Sequence, residues 1–195
     1  MRIKLLLILL AGIGSMLIIS CKTSETMDQK VEKLLSQLTL EEKISLIHGN
    51  TYFTTPAIPR LGIPALHLSD GPCGVREEND PDSWNPANWT NDATAYFPAL
   101  TSLASTWNPE LATEFGYAYS EEAIVRGKDI MLAPGLNIHR TPLNGRNWEY
   151  LSEDPFLASR FAVSFIKAAQ SKGIAVCAKH RSEERRVGKE CRSRW

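Results

Sequence analysis

The chain has 195 residues, 43% of them apolar, and its 22 basic and 22 acidic side chains give a formal charge of zero. That length suits one domain, and the even charge excludes a nucleic-acid binder, which needs a concentrated basic face. Cysteines at 21, 73, 177 and 191 form no CxxC pair, and histidines at 48, 67, 139 and 180 are scattered. No disulfide framework, metal site or cofactor is therefore expected.

The N-terminal stretch MRIKLLLILLAGIGSMLIISC places Arg2 and Lys4 before an apolar core, the layout of a signal peptide. The competing reading is a transmembrane anchor, but Leu5 to Ile19 is short for a hydrocarbon core of about 30 Å. The end, LIISC, resembles a bacterial lipobox, with Ser20 before Cys21. In such signals the cysteine thiol is lipidated and becomes the new N-terminus, and each buried CH₂ of the acyl chains contributes ~0.8 kcal/mol of membrane affinity. The expectation is a lipoprotein signal over 1–21 and a polar tether over 22–27. The protein would then be an exported bacterial lipoprotein, anchored in the periplasm or at the outer membrane through Cys21.

Helical spacing of Val31, Leu34, Leu35 and Leu38 predicts a first helix, and Thr39 with Glu42 makes a capping-box signature for a second, followed by Gly49. IPRLGIPALHLSDGP reads as a strand ending at Ser69-Asp70. The stretch REENDPDSWNPANWTNDATAYFP has no periodicity and reads as a loop. A helix follows, with Asn108 as its N-cap, Pro109 at its first position and Gly127 after its end. DIMLAPGLN is a second strand. Another helix has Asp154 as cap, Pro155 at its first position and Gly173 at its stop. IAVCAKH is a third strand.

Alternating strands and helices argue for parallel pairing through right-handed crossovers. Each strand runs into polar residues at its C-terminal end, the face on which a (β/α)₈ barrel carries its working groups. An open dinucleotide-binding sheet is disfavoured, because DGPCG leads into an irregular loop rather than a helix. The expected fold class is α/β, the N-terminal part of a (β/α)₈ TIM-like barrel.

Aspartate at a strand mouth with Arg, Lys and His nearby is a set suited to hydroxyl groups: carboxylates accept, and Arg and Lys donate. Each residue also has a plainer reading. Asp70 before Gly-Pro would cap a turn, and Arg146 with Glu149 would be a structural ion pair. Trp84 and Trp89 either present apolar faces to sugar rings or pack against the barrel.

LHLSDGPCGVR (66–76) and APGLNIHRTPLNGRNWEYLSEDP (133–155) resemble two signature blocks of glycoside hydrolase family 3, and AKH (178–180) resembles the start of a third. FPALTSLASTWNPEL between them matches the family's style. The similarity covers about residues 28 to 180, and GRNWEYLSEDP is closer to the β-glucosidase branch than to the β-xylosidase branch. The resemblance implies that Asp70 accepts from hydroxyls of the sugar in the first subsite. It implies that Arg146 donates to the same sugar, and that Lys179 and His180 complete the ring of donors. Glu149, Asp154 and His139 are expected to be scaffolding, and Cys73, where many relatives carry another residue, to tune the site.

The implied activity is that of a retaining exo-β-glycosidase, a β-glucosidase acting on β-glucosides or oligosaccharides. The alternatives are a β-xylosidase of the same family or a non-catalytic sugar-binding lipoprotein. The family's nucleophile is an aspartate on a later strand and its acid/base usually comes from a second domain. No carboxylates of this chain match those roles, so no catalytic residue is named and the segment by itself is expected to be inactive. The last fifteen residues, RSEERRVGKECRSRW, hold six basic and three acidic residues, so the charge without them is −3. They resemble a translated sequencing adapter, and 181–195 is expected to be a non-native tail that interrupts the third block.

Overall fold

The computed structural model describes residues 25–88 and 93–180. The signal segment with Cys21, the first part of the tether, Trp89 and the tail from 181 lie outside the described residues. Two compact units divide the chain after Thr39.

The first unit holds helix α1 (Met27–Gln37). Its N-terminus is closed by a capping box that the sequence reading did not single out. Thr26 Oγ1 accepts from the Gln29 N–H at 3.2 Å, and Gln29 Oε1 accepts from the Thr26 N–H at 2.9 Å. Two otherwise orphaned donors are satisfied reciprocally, which fixes the helix start.

The second unit begins with the short helix α2 (Leu40–Leu46) and then alternates strands and helices. Strand β1 (Leu68–Asp70) is followed by α3 (Leu100–Ala104) and α4 (Pro109–Val125). Strand β2 (Ile130–Leu132), α5 (Pro155–Ser171) and β3 (Ala175–Val176) complete the order. The described strands form one parallel sheet in the order β1-β2-β3. Leu68 pairs with Ile130 and Asp70 with Leu132, while Ile130 pairs with Ala175. Both crossovers run through a long helix, as parallel neighbours require. The chain is thus α/β, the opening part of a (β/α)₈ barrel.

The predicted punctuation of the two long helices, α4 and α5, is present atom by atom. Asn108 Oδ1 accepts from the Glu110 N–H at 3.0 Å, and Asp154 Oδ1 accepts from the Phe156 N–H at 2.9 Å. Pro109 and Pro155 occupy first-turn positions whose N–H would have no partner in any case. Gly127 (φ 66°) and Gly173 (φ 86°) sit just past the helix ends in the left-handed conformation, where a Cβ would be costly.

Packing follows the apolar faces. Ala112, Phe115, Tyr119 and Ala123 of α4 recur at helical spacing and are buried, as are Ala158, Phe161, Ala162 and Phe165 of α5. They close over Met131 and Ala133, both fully buried, on and just after β2. Each fully buried large apolar side chain contributes roughly 1.5–3 kcal/mol. The helices approach closely at Gly116, where an added Cβ would stand 2.8 Å from both Ala168 Cβ and the Phe165 carbonyl oxygen.

The segment expected to be a loop is irregular where described, with one isolated bridge between Asn79 and Pro86. Trp84 is 56% exposed, with its ring 5.1 Å from Phe53 and 6.1 Å from Tyr52 and the Arg76 guanidinium 5.5 Å above it. Among the described residues no helix is long and apolar enough to cross a membrane, and no cluster of His, Cys, Asp and Glu is arranged to hold a metal ion.

Two stability outcomes follow from this packing. Gly116→Ala pushes α4 off α5 and is expected to cost about 1–3 kcal/mol, read as a lower urea midpoint; an unchanged midpoint contradicts the close approach. The buried Tyr119 hydroxyl donates to the Gly71 carbonyl at 2.6 Å, tying the end of β1 to α4. Tyr119→Phe is expected to cost about 1 kcal/mol and to lower Tm by roughly 2–4 °C in a thermal melt, and a Tm at or above the wild-type value contradicts the tie.

Candidate functional site

The three strands deliver their polar C-terminal ends to one side of the sheet. Asp70 is the last residue of β1. Lys179 lies three residues beyond β3, where the β2–β3 pairing continues: the Lys179 N–H donates to Pro134 O at 3.0 Å, and its carbonyl accepts from the Leu136 N–H at 2.6 Å. Backbone register therefore sets where Lys179 stands. Its ammonium makes an ion pair with Asp70 Oδ1. The same oxygen accepts from the Gly71 N–H at 2.8 Å, which closes the turn after β1.

Arg146 arrives on the long connection after β2, at the start of a single 3₁₀ turn (Asn147–Glu149). Several elements fix this turn. The Thr101 hydroxyl of α3 lies within hydrogen-bonding distance of the Asn147 and Tyr150 carbonyls, at 3.0 and 3.2 Å. Cys73 Sγ lies 3.9 Å from the Trp148 carbonyl. Gly135 passes so near that a Cβ there would stand 2.2 Å from the Glu149 carbonyl oxygen. Arg146 Nε bonds the Glu149 carboxylate, which is 3% exposed, and this bond holds the guanidinium more firmly protonated than usual.

His180 joins the same group. Its N–H donates to Asn137 Oδ1 at 2.6 Å, its Nε2 lies 3.1 Å from Arg146 Nη2, and its Nδ1 lies 3.2 Å from the Tyr150 hydroxyl. The Ala133–Pro134 and Lys179–His180 peptides are both cis. Burial, followed by the charges of Lys179 and Arg146, lowers the imidazole pKa below its ordinary 6.5. Burial also raises the Tyr150 and Cys73 pKa values, so both side chains stay protonated near neutrality.

Asp70, Arg146 and Lys179 thus line a single cleft of 520 Å³, with His180 bonded to its Arg146 wall. Two other cavities, of 410 and 490 Å³, hold none of these four residues. The plainer readings of the sequence hold: Asp70 closes a turn, and Arg146 pairs with Glu149. Asp70 and Glu149 are each tied to a cation, Lys179 and Arg146 respectively. Cys73 is 2% exposed beneath the cleft. His139 stands away from it, its ring 6.1 Å from that of Tyr150.

The sequence reading left Trp84 and Trp89 either facing sugar rings or packing against the barrel. The cleft instead holds Tyr96 and Trp148, 71% and 46% exposed, with ring centroids 6.3 Å apart. Tyr150, Asn137 and Tyr119 were also not singled out. Their partners lie 30 to 48 positions away in sequence, beyond the reach of any spacing pattern. The signal that was available is position, since Asn137 and Tyr150 both fall inside the 133–155 block.

Comparison with known proteins identifies the family and the fold. Residues 87–184 match the family model "Glycosyl hydrolase family 3 N terminal domain". The β-glucosidase BoGH3A of Bacteroides ovatus is 51% identical over 157 residues, which are 80% of this chain and 21% of that protein. Thermostable β-glucosidase B of Acetivibrio thermocellus is 43% identical over 150 residues, 77% of this chain and 20% of that protein. Among solved structures, β-glucosidase 3B from Thermotoga neapolitana in complex with glucose is similar with a TM-score of 0.67 at 44% identity, covering 77% of this chain and 23% of that one. The chain therefore spans about a fifth of the length of the relatives it matches. It belongs to glycosyl hydrolase family 3, through the N-terminal domain of that family.

Proposed function

We propose that this chain is the opening part of the sugar-binding barrel of a retaining, exo-acting β-glucosidase, and that its cleft grips the terminal glucose of a β-glucoside or oligosaccharide. The observation that carries the reading is the convergence of two bonded pairs, Asp70 with Lys179 and Arg146 with His180, from three strand ends onto one cleft. Asp70 Oδ1 is occupied by Lys179 and the Gly71 N–H, which leaves Oδ2 to accept from a sugar hydroxyl. The remaining ammonium protons of Lys179 and the Nη1 edge of Arg146 are donors for neighbouring hydroxyls. One charged acceptor flanked by fixed charged donors suits vicinal hydroxyls, and hydrogen bonds to charged groups contribute about 1.5–3 kcal/mol each. Tyr96 and Trp148 offer apolar faces to the ring.

The covalent step would belong to residues beyond these: a nucleophilic carboxylate on a later strand and an acid/base from a second domain. The part played here is to hold the anomeric carbon in register with them. That β-glucosidases from bacteria and fungi are relatives supports a glucoside over a xyloside as substrate. From the N-terminal segment, outside the described residues, we infer export and tethering to a membrane through lipidated Cys21, with the enzyme facing glycans outside the cytoplasm.

In the longer enzyme carrying this segment, Asp70→Asn is expected to lower kcat/KM on an aryl β-glucoside by roughly ten- to a hundredfold, the loss of one charged hydrogen bond in the transition state. Wild-type activity in this variant, or turnover of aryl β-xylosides in preference to glucosides, would overturn the reading. Saturable glucose binding by the longer protein without any turnover would point to a non-catalytic sugar-binding lipoprotein instead.

A further inference from the structure

The His180 imidazole has both ring nitrogens engaged, and its two partners are not chemically equivalent. Nε2 faces Arg146 Nη2 at 3.1 Å, and Nδ1 faces the Tyr150 hydroxyl at 3.2 Å. A guanidinium has five N–H donors and no acceptor, so Nε2 must be the acceptor in the first contact. An imidazole whose Nε2 accepts carries its proton on Nδ1, and that N–H is then donated to the Tyr150 oxygen. The Tyr150 hydroxyl keeps its own proton for another acceptor.

We propose that His180 is held as the neutral Nδ1–H tautomer, selected by the Arg146 guanidinium that donates to Nε2, and works as a proton-operated latch on Arg146, with the Tyr150 hydroxyl accepting the Nδ1–H hydrogen bond. The guanidinium is gripped at two points, by the buried Glu149 carboxylate at Nε and by His180 at Nη2. Two fixed edges on a planar group define one orientation, and they leave Nη1 facing outward. Among the described residues Nη1 has no hydrogen-bond partner. A proton on Nε2 sets N–H against N–H and a positive charge against a positive charge, and the second grip is lost.

The charges around the ring favour the neutral state. Lys179, on the β3 extension, and Arg146, on the turn after β2, both oppose protonation. Glu149 on that turn and Asp70 at the end of β1 favour it, but they act more weakly than burial and the two cations. The Tyr150 hydroxyl is uncharged near neutrality, since burial raises its pKa. A histidine whose folded pKa lies below its unfolded value of about 6.5 contributes stability above that pH and loses it as pH falls through the folded pKa. The latch is therefore closed at neutral pH and opens on acidification.

The latch does not rest on the function proposed above, since the tautomer can be measured without any ligand. Long-range ¹H–¹⁵N correlation spectra of the 195-residue chain, labelled at histidine, read the protonation of each ring nitrogen, and His180→Asn assigns the signal. At pH 7 the expected pattern for His180 is an unprotonated Nε2 with a protonated Nδ1, and a titration midpoint below 6.5. In Arg146→Met the midpoint is expected to move upward and both tautomers to be populated. A protonated Nε2, a midpoint at or above 6.5, or a ring indistinguishable from a free histidine overturns the latch. The expected tautomer together with no glucoside binding in the longer protein would overturn the functional reading alone. Binding with the opposite tautomer would overturn only the latch.

Discussion

The ion pair between Asp70 and Lys179 is the constraint on which the candidate site depends. The two residues are 109 positions apart in sequence and stand at the ends of β1 and β3, the outer strands of a sheet whose centre is β2. Neither strand bonds the other, so this pair joins the two ends across the middle of the sheet. Asp70 is 25% exposed and Lys179 14%. At that depth neither charge is well solvated by bulk water, and leaving one alone costs more than breaking a surface pair would. The pair also divides the labour of the carboxylate: one oxygen holds the fold and the other is left for a ligand.

Around this pair the polar groups are fixed by backbone rather than by long, free side chains. Lys179 is placed by the extension of the β2–β3 ladder, Asp70 by its own turn and by the Tyr119 hydroxyl on Gly71, and Arg146 by a 3₁₀ turn held from three sides. Groups fixed before a ligand arrives lose little freedom on binding it, which is how a small number of hydrogen bonds can give useful affinity. The cleft is thus an outcome of the parallel sheet, whose register brings Asp70 and Lys179 to one face, and of the packed 3₁₀ turn that adds Arg146.

Much of this was legible in the sequence. Asn108-Pro109 and Asp154-Pro155 announce helix starts because their side chains cap the first turn, and Gly127 and Gly173 announce the ends because they adopt a positive φ. The strand ends were legible because apolar runs gave way to SDGP, APGLN and AKH. Helix α3 was not: it has five residues, its N-cap is Ala99, and no side chain caps it, so it carries no start signal. The aromatic pair of the cleft was not singled out, for a related reason. Composition drew attention to the Trp-rich loop, whereas Tyr96 and Trp148 meet only once the chain after β2 folds back over the segment before α3. Tyr150 and Asn137 were hidden because a hydrogen bond to His180 leaves no periodic trace.

The central claim is that Asp70 and Lys179 act as one unit. A double-mutant cycle on chemical unfolding tests it directly, with Asp70→Asn and Lys179→Met made singly and together. Coupling of roughly 0.5–3 kcal/mol is the predicted result, the range for contacting residues that share one network. Single-variant losses that simply add in the double variant would contradict it, and would leave the two residues as neighbours without a common role.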